Sequence, residues 1–336
     1  MTIAISRRTF ALTGACAIIT SKSASAQTAE LKMSHFLPPN HTIQKAMVMW
    51  SDDLEKQSAG RLKLRIYPAG QLGGGPNRQF DAARNGVVDM AFSLHGATPG
   101  RYPITELASL PFAAPAAGSK SIATSRRLSE LAPEYLAREH EGLRILWMAV
   151  TPPLMFHSKT PIRTIADFKG KRIRYAGVQF KNIIDSLGAV PLLVPPQETQ
   201  DGLAKGIIDA ATFPYEGAAS FDIATVAKYT LEPGVSAATF ALVMNPAKYA
   251  ALPDDLKALI DKSAGPEAAA RFGAMWDEAE NVGKATMQAK GAQVSVLAND
   301  QLEQMKAIFR PQLDAAVADV EKQGKPGRKF FDGYLK

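Results

Sequence analysis

The fifty residues from Ile165 to Pro214 constrain the fold most. They read IADFKGKRIRYAGVQFKNIIDSLGAVPLLVPPQETQDGLAKGIIDAATFP. An Asp-Phe-Lys-Gly turn leads into a short strand, RIRYAG. A helix, a second strand, a second helix and a third strand, IDAATFP, follow. This is a βαβαβ unit, which makes parallel strands with helices on the sheet faces. In open α/β sheets small ligands bind beyond the carboxyl ends of the strands. Arg174 stands near such an end, where a guanidinium can grip a carboxylate through two parallel hydrogen bonds. Strand alternation puts Arg172 on the same face and Ile173 and Tyr175 on the buried one. The same pattern also suits a solvated or structurally paired arginine. Phe213, Tyr215 and Glu216 follow the third strand, either as core and surface residues or as a wall beside Arg174.

Around this unit the chain keeps alternating. Leu31–Met33, Leu62–Tyr67, Val87–Phe92, Leu143–Val150, Leu154–Ser158, Thr239–Asn245 and Val294–Leu297 read as strands. Thr42–Gln57 reads as a helix, with Ile43, Ala46, Met47, Trp50 and Leu54 at three- and four-residue spacings. Asn77–Asn85, Ser119–His140, Pro253–Ser263 and Gln301–Glu321 are further helices. Ala264–Lys290 reads as one long helix with tolerable glycines, roughly 40 Å at 1.5 Å per residue. That exceeds what one small lobe needs. The Lys/Gly-rich tail is expected to be loose.

The chain has 336 residues, 46% hydrophobic and 21% charged, enough for two lobes with real cores. No apolar run is long enough for a transmembrane helix. The first 26 residues resemble an export signal. Ser6-Arg7-Arg8-Thr9-Phe10 precedes an apolar stretch, and Ala24-Ser25-Ala26 offers a cleavage site. The Arg pair suits twin-arginine export as well as Sec. Removing residues 1–26 takes away Arg7, Arg8 and Lys22 and leaves 36 basic against 32 acidic residues. These are scattered, which disfavours nucleic-acid binding. Cleavage also removes the single cysteine, Cys16, as oxidising compartments favour; a lipidated Cys16 is the weaker reading, because no leucine stands three residues before it.

Other candidates carry weaker signals. Gly73-Gly74-Gly75-Pro76 is a glycine-rich turn before a helix, but it lacks both phosphate-loop and dinucleotide spacings; a flexible cleft loop around Gly74 is favoured. His35 and His95 follow strands where they could face a cleft, and His157 likewise, yet a hydrogen-bonded structural role is favoured for each. No histidine pair has metal-ligand spacing, so no metal or cofactor is expected. No G-x-S-x-G elbow supports a hydrolase.

Several segments in order carry a resemblance. They are KLRIYPAGQLGG, RNGVVDMAF, the S-x-x-P-I-x-T-x-A-D-F-K-G-x-x-I-R stretch, Leu187-Gly188-Ala189 with Pro191, and MNPAKYAALPDDLKALI. The chain resembles the substrate-binding proteins of tripartite ATP-independent periplasmic (TRAP) transporters, the DctP type, over nearly its whole mature length. The resemblance implies a two-lobed α/β periplasmic binding protein fold, type II-like, with a long helix spanning both lobes. It implies lobe I at 27–150 with a returning segment near 238–265, and lobe II at 151–237 with a C-terminal segment near 280–325. The cross-lobe helix is 264–290. It further implies a periplasmic receptor, not an enzyme, which delivers a carboxylate to small and large integral membrane permease subunits. Arg174 matches the family's carboxylate-binding arginine. Other contact positions depart: Leu154 stands where a second arginine is frequent, and Phe213 where an asparagine is. His35 and Phe36 fall at a polar position, and Leu94 or His95 at an acidic one. Fewer polar partners imply an apolar or aromatic monocarboxylate. An ATP-driven importer's binding protein and a secreted enzyme are the alternatives.

Overall fold

The structure, a computed structural model, describes residues 28–336; the export-signal reading, with Cys16, lies outside them. The first part of the chain runs β1 (Ala29–His35), α1 (Thr42–Gln57), β2 (Leu62–Tyr67), α2 (Gln79–Arg84), β3 (Met90–Leu94), α3 (Ser121–Leu131) and β4 (Arg144–Val150). Then come β5 (Leu154–Ser158), β6 (Arg172–Tyr175), α4 (Val178–Ser186), β7 (Val190–Leu193), α5 (Thr199–Ala204), β8 (Ala210–Phe213), α6 (Tyr215–Ser220) and β9 (Tyr229–Ser236). The chain closes with β10 (Thr239–Met244), α7 (Pro246–Ala250), α8 (Asp254–Lys262), α9 (Gly265–Ala289), β11 (Gln293–Val296), α10 (Asn299–Lys322) and α11 (Gly327–Leu335).

Two sheets result, with strand orders β2-β1-β3-β10-β4 and β11-β9-β5-β8-β6-β7. The opening unit is as its sequence requires: β6 runs parallel to both β7 and β8. One apolar cluster runs from the first sheet (Leu31, Met33, Phe92) into the second (Phe156, Ile173, Leu231). In α1, Ile43, Met47, Trp50 and Leu54 are buried, and the His41 ring accepts the Ile43 amide as N-cap.

Four connections join the lobes, the last being α10, which leads from β11 of the second sheet to α11 on the first lobe. The chain crosses from β4 to β5 at residues 151–153 and returns from β9 to β10 at 237–238. These crossings are tied together, Thr151 N donating to Ala238 O at 3.0 Å and Ala238 N to Thr151 Oγ1 at 3.0 Å. The third is α9, about 37 Å long at 1.5 Å per residue, which packs on α1, α3 and β4 at one end and on α6 at the other. Its glycines are required for contact. A Cβ on Gly273 would stand 2.5 Å from Ser121 O, and one on Gly283 2.6 Å from Glu216 N. Beside each, an acid caps the helix it touches: Asp277 accepts the Ser121 and Ile122 amides, and Glu280 the Tyr215 and Glu216 amides.

Three expectations are corrected. The helix expected over Ser119–His140 ends at Leu131 and continues as a wide turn at Ala132–Leu136 containing Pro133. The tail is not loose: α11 buries Phe330, Phe331 and Tyr334 against Leu131 and Leu136. Strand β9 has no counterpart in the sequence reading, because Pro233 disfavours a ladder. Residues Glu232–Val235 bulge opposite Met155, so the proline sits where the register is irregular.

Candidate ligand site

The carboxyl ends of β1, β3, β6 and β8 converge between the lobes. Phe36 and Leu37 after β1, Leu94 on β3, Arg174 and Ala176 at β6, and Thr212 and Phe213 on β8 wall a chamber there. Thr151, Leu154 and Ala238 enter from the crossings, Phe240 from β10, Glu216 from α6 and Trp276 from α9. The centre of a water-sized sphere can visit about 50 Å³ of it. With ~10–15 Å³ needed per water, that is room for about four waters. The walls are aromatic. Phe36 lies parallel to Phe240 at 6.3 Å, Phe240 meets Trp276 edge-on at 5.5 Å, and Phe213 tilts against Phe221 at 5.7 Å.

Arg174 is 2% exposed. Its Nε donates to Val194 O at 3.0 Å and its Nη1 to Thr212 O at 2.9 Å. The guanidinium lies over the Phe213 ring, 4.3 Å from its centre. Two of its five N–H groups are thereby used, and no carboxylate of the described residues pairs with it. Burial alone pulls its pKa down to about 9, so it stays cationic at neutral pH. Arg172, two residues earlier, shows the ordinary alternative. It sits at the surface in a two-point pair with Asp209, Nε–Oδ2 3.0 Å and Nη2–Oδ1 2.8 Å.

Glu216 forms the other charged wall. Its oxygens accept from Thr42 N at 3.1 Å, Ser220 Oγ at 2.9 Å and Trp276 Nε1 at 3.2 Å. The His41 Nε2 stands 3.2 Å away. Because His41 Nδ1 accepts the Ile43 amide, the ring proton is assigned to Nε2, facing Glu216. Burial lowers the His41 pKa and favours that neutral form, against the pull of Glu216.

Of the residues expected at the site, Arg174, Phe213, Phe36, Leu154 and Glu216 line the chamber, and the rest do not. His35 Nε2 faces Gln44 Oε1 at 2.5 Å and its Nδ1 accepts the Leu37 amide. His95 is taken up by His140 and Thr239, at 3.0 and 3.1 Å; its neighbour Leu94 lines the wall instead. Tyr215 turns away and donates to Glu232 at 2.8 Å. Gly74, at φ +75°, shapes its own turn, whose following residues Gly75–Arg78 border an outer groove on the far side of Arg174. His157 lies behind the wall, its Nε2 3.0 Å from Phe213 O and its Nδ1 2.9 Å from Thr230 Oγ1. Sequence reasoning missed Phe240, Trp276, Thr151 and His41. The first three carry no local signal, and the fourth carried one as the N-cap of α1. Among the described residues no group of His, Cys, Asp and Glu is poised to hold a metal ion.

Two lobes closed over a small chamber, joined by crossing strands and one long helix, define a solute-binding protein. The chain belongs to family 7 of the bacterial extracellular solute-binding proteins, DctP, whose profile matches residues 33–319. It is similar to a TRAP solute-binding protein of Rhodoferax ferrireducens T118 solved with copurified benzoate, at 31% identity, 91% and 96% coverage of the two chains and a TM-score of 0.87. A marine metagenome TRAP protein specific for aromatic acid ligands, solved with 3-hydroxybenzoate, is 29% identical, with 92% and 97% coverage and a TM-score of 0.87. A Comamonas testosteroni protein named outer membrane transporter protein TsaT is 25% identical over 93% of this chain and 92% of its own. The fold and family expected from the sequence are thus both found. The chain is a TRAP solute receptor rather than an enzyme, of a family that binds small carboxylates and works with membrane permease components. No helix of the described residues is long and apolar enough to cross a membrane.

Proposed function

We propose that the chain captures an aromatic monocarboxylate in this chamber, in the periplasm, and presents it to the small and large subunits of a TRAP permease. The observation that carries this reading is Arg174: a buried cation with free N–H groups and no counter-ion among the described residues, on the wall of an aromatic chamber. A ligand carboxylate supplies the missing charge and accepts the free donors. The ring fills the space between Phe36, Phe213, Phe240 and Trp276, where burial contributes most of the affinity. Leu154 and Phe213 offer no side-chain hydrogen bonds to hydroxyl groups, which disfavours sugar acids. The ligands named for the Rhodoferax and marine proteins, benzoate and 3-hydroxybenzoate, fit the same description. Thermal shift with benzoate, 3-hydroxybenzoate, succinate and sialic acid tests it. The aromatic acids should raise the melting temperature by several degrees and the polar acids should not; stabilisation by the polar acids alone would refute the assignment.

A further inference from the structure

Two buried carboxylates lie between the lobes, Glu216 on the chamber wall and Glu106 outside it, each beside a helix amino terminus of the other lobe. Glu216, on α6 beside the second sheet, accepts the Thr42 amide, the first of α1 in the first lobe, at 3.1 Å. Trp276 of the connecting helix adds its Nε1–H at 3.2 Å. Glu106, in the 3₁₀ turn Thr105–Ser109 of the first lobe, is buried against the Val178 amide, the first of α4 in the second. Glu106 is 2% exposed, and neither of its oxygens has a fully formed hydrogen bond. Next to it the lobes touch backbone to backbone. A Cβ on Gly96 would stand 2.6 Å from Gly177 Cα, so no side chain fits at that point of closure.

We propose that Glu216 and Glu106 are positioning residues for ligand capture, a reciprocal pair of latches that hold the lobes closed over the Arg174 chamber. Ionised Glu216 places a negative charge at the positive end of α1 across the cleft, an attraction that exists only when the lobes meet, whereas Glu106 sits at the amino end of α4 where closure favours its neutral form. The two latches differ in kind. Glu216 is fully hydrogen-bonded across the cleft. Glu106 loses water on closing without full replacement, and burial pushes its pKa up to about 7. Closing therefore takes up a proton at Glu106. Of the groups around Glu106, Glu139 faces it and is itself pushed up by burial, against the Ile104 and Thr105 amides that it accepts. His95 is held between Thr239 and His140, Lys181 and Asp185 of α4 pair with each other, and Arg328 of α11 pairs with Asp314.

The proposal rests on the chamber being the ligand site, so its test also reads closure directly. Spin labels at Lys63→Cys and Lys205→Cys, on exposed positions of the two lobes, report the interlobe distance by double electron–electron resonance. Measurements run with and without benzoate at pH 5.5 and 8. In the labelled parent the closed-to-open ratio should be about thirtyfold higher at pH 5.5 than at pH 8, as a carboxyl moving from 4.5 to about 7 on closure requires. Glu106→Gln should remove that pH difference while keeping a high closed fraction. Glu216→Ala should lower the ratio at both pH values by about tenfold, the scale of one lost charge-assisted bond, and Glu216→Gln, which keeps one acceptor oxygen, should recover part of it. Circular dichroism confirms that each variant folds. A closed fraction indifferent to pH in the parent, or unchanged in Glu216→Ala, overturns the latches. If benzoate fails to bind the parent, the ligand reading falls, while the ligand-free distance distributions still decide on the latches by the same criteria.

Discussion

Two buried polar clusters in this protein obey opposite rules. In the first, Thr239 Oγ1 meets His95 Nδ1 at 3.1 Å, His95 Nε2 meets His140 Nε2 at 3.0 Å, and His140 Nδ1 meets Leu136 O at 2.9 Å. With neutral rings every donor along that chain finds an acceptor, and burial pulls both histidines below their usual range. In the second, Arg174 is as deeply buried, yet its positive charge is met only by two carbonyls and an aromatic face. A buried polar group that closes on its own protein is structure. One left with free donors and an uncompensated charge is costly unless something else completes it. That difference separates His95 from Arg174, although both stand at strand ends facing the cleft region.

The largest test strikes the self-closed side. Burial holds His35, His140 and His157 near pKa 4, while the unfolded chain titrates near 6.5. Between those values the unfolded state binds more protons, so stability is complete above about pH 6.5 and falls as pH drops towards 4. The loss should be on the order of 3 kcal/mol per histidine, partly offset over the same range by buried Glu106 and Glu280, whose carboxyls are pushed up to about 7 and so take up protons in the folded state. Urea midpoints at pH 7.5, 5.5 and 4.5 measure it, and a flat profile would break the contrast. The next test strikes the open side. Arg174→Ala should weaken benzoate binding by about 2–5 kcal/mol in calorimetry, with the fold retained. The smallest effect belongs to Arg172→Ala. Removing that surface pair with Asp209 should cost under about 1 kcal/mol of stability and leave benzoate affinity within about twofold; a large loss of binding would erase the distinction between the two arginines.

What the sequence revealed followed the range of its signals. The β6–β8 unit is local, so strand alternation and the carboxyl-end rule put Arg174 at the strand end where it borders the chamber, with no other part of the chain. The opposite wall is not local. Phe240 and Trp276 lie more than sixty residues from Arg174 along the chain, and nothing near either marks a chamber. His95 kept a cleft reading beside the favoured hydrogen-bonded one because its partner His140 is 45 residues away. In α9 the glycines read as tolerated flaws, since helix propensity sees only their cost; their use is the backbone contact with α3 and α6. In α11 the Lys and Gly content hid the spacing of Phe330, Phe331 and Tyr334, which is the real helical signal.

The central claim is that Arg174 is kept for a ligand's carboxylate and not for the fold. The melting temperatures of the parent and of Arg174→Met, each with and without saturating benzoate, test it most directly. Methionine fills similar space without the buried charge, so the ligand-free melting temperature should stay within the few degrees that about 1 kcal/mol represents, while the stabilisation by benzoate disappears. A ligand-free protein that loses much of its stability, together with an undiminished benzoate shift, would make Arg174 a structural residue and contradict the claim.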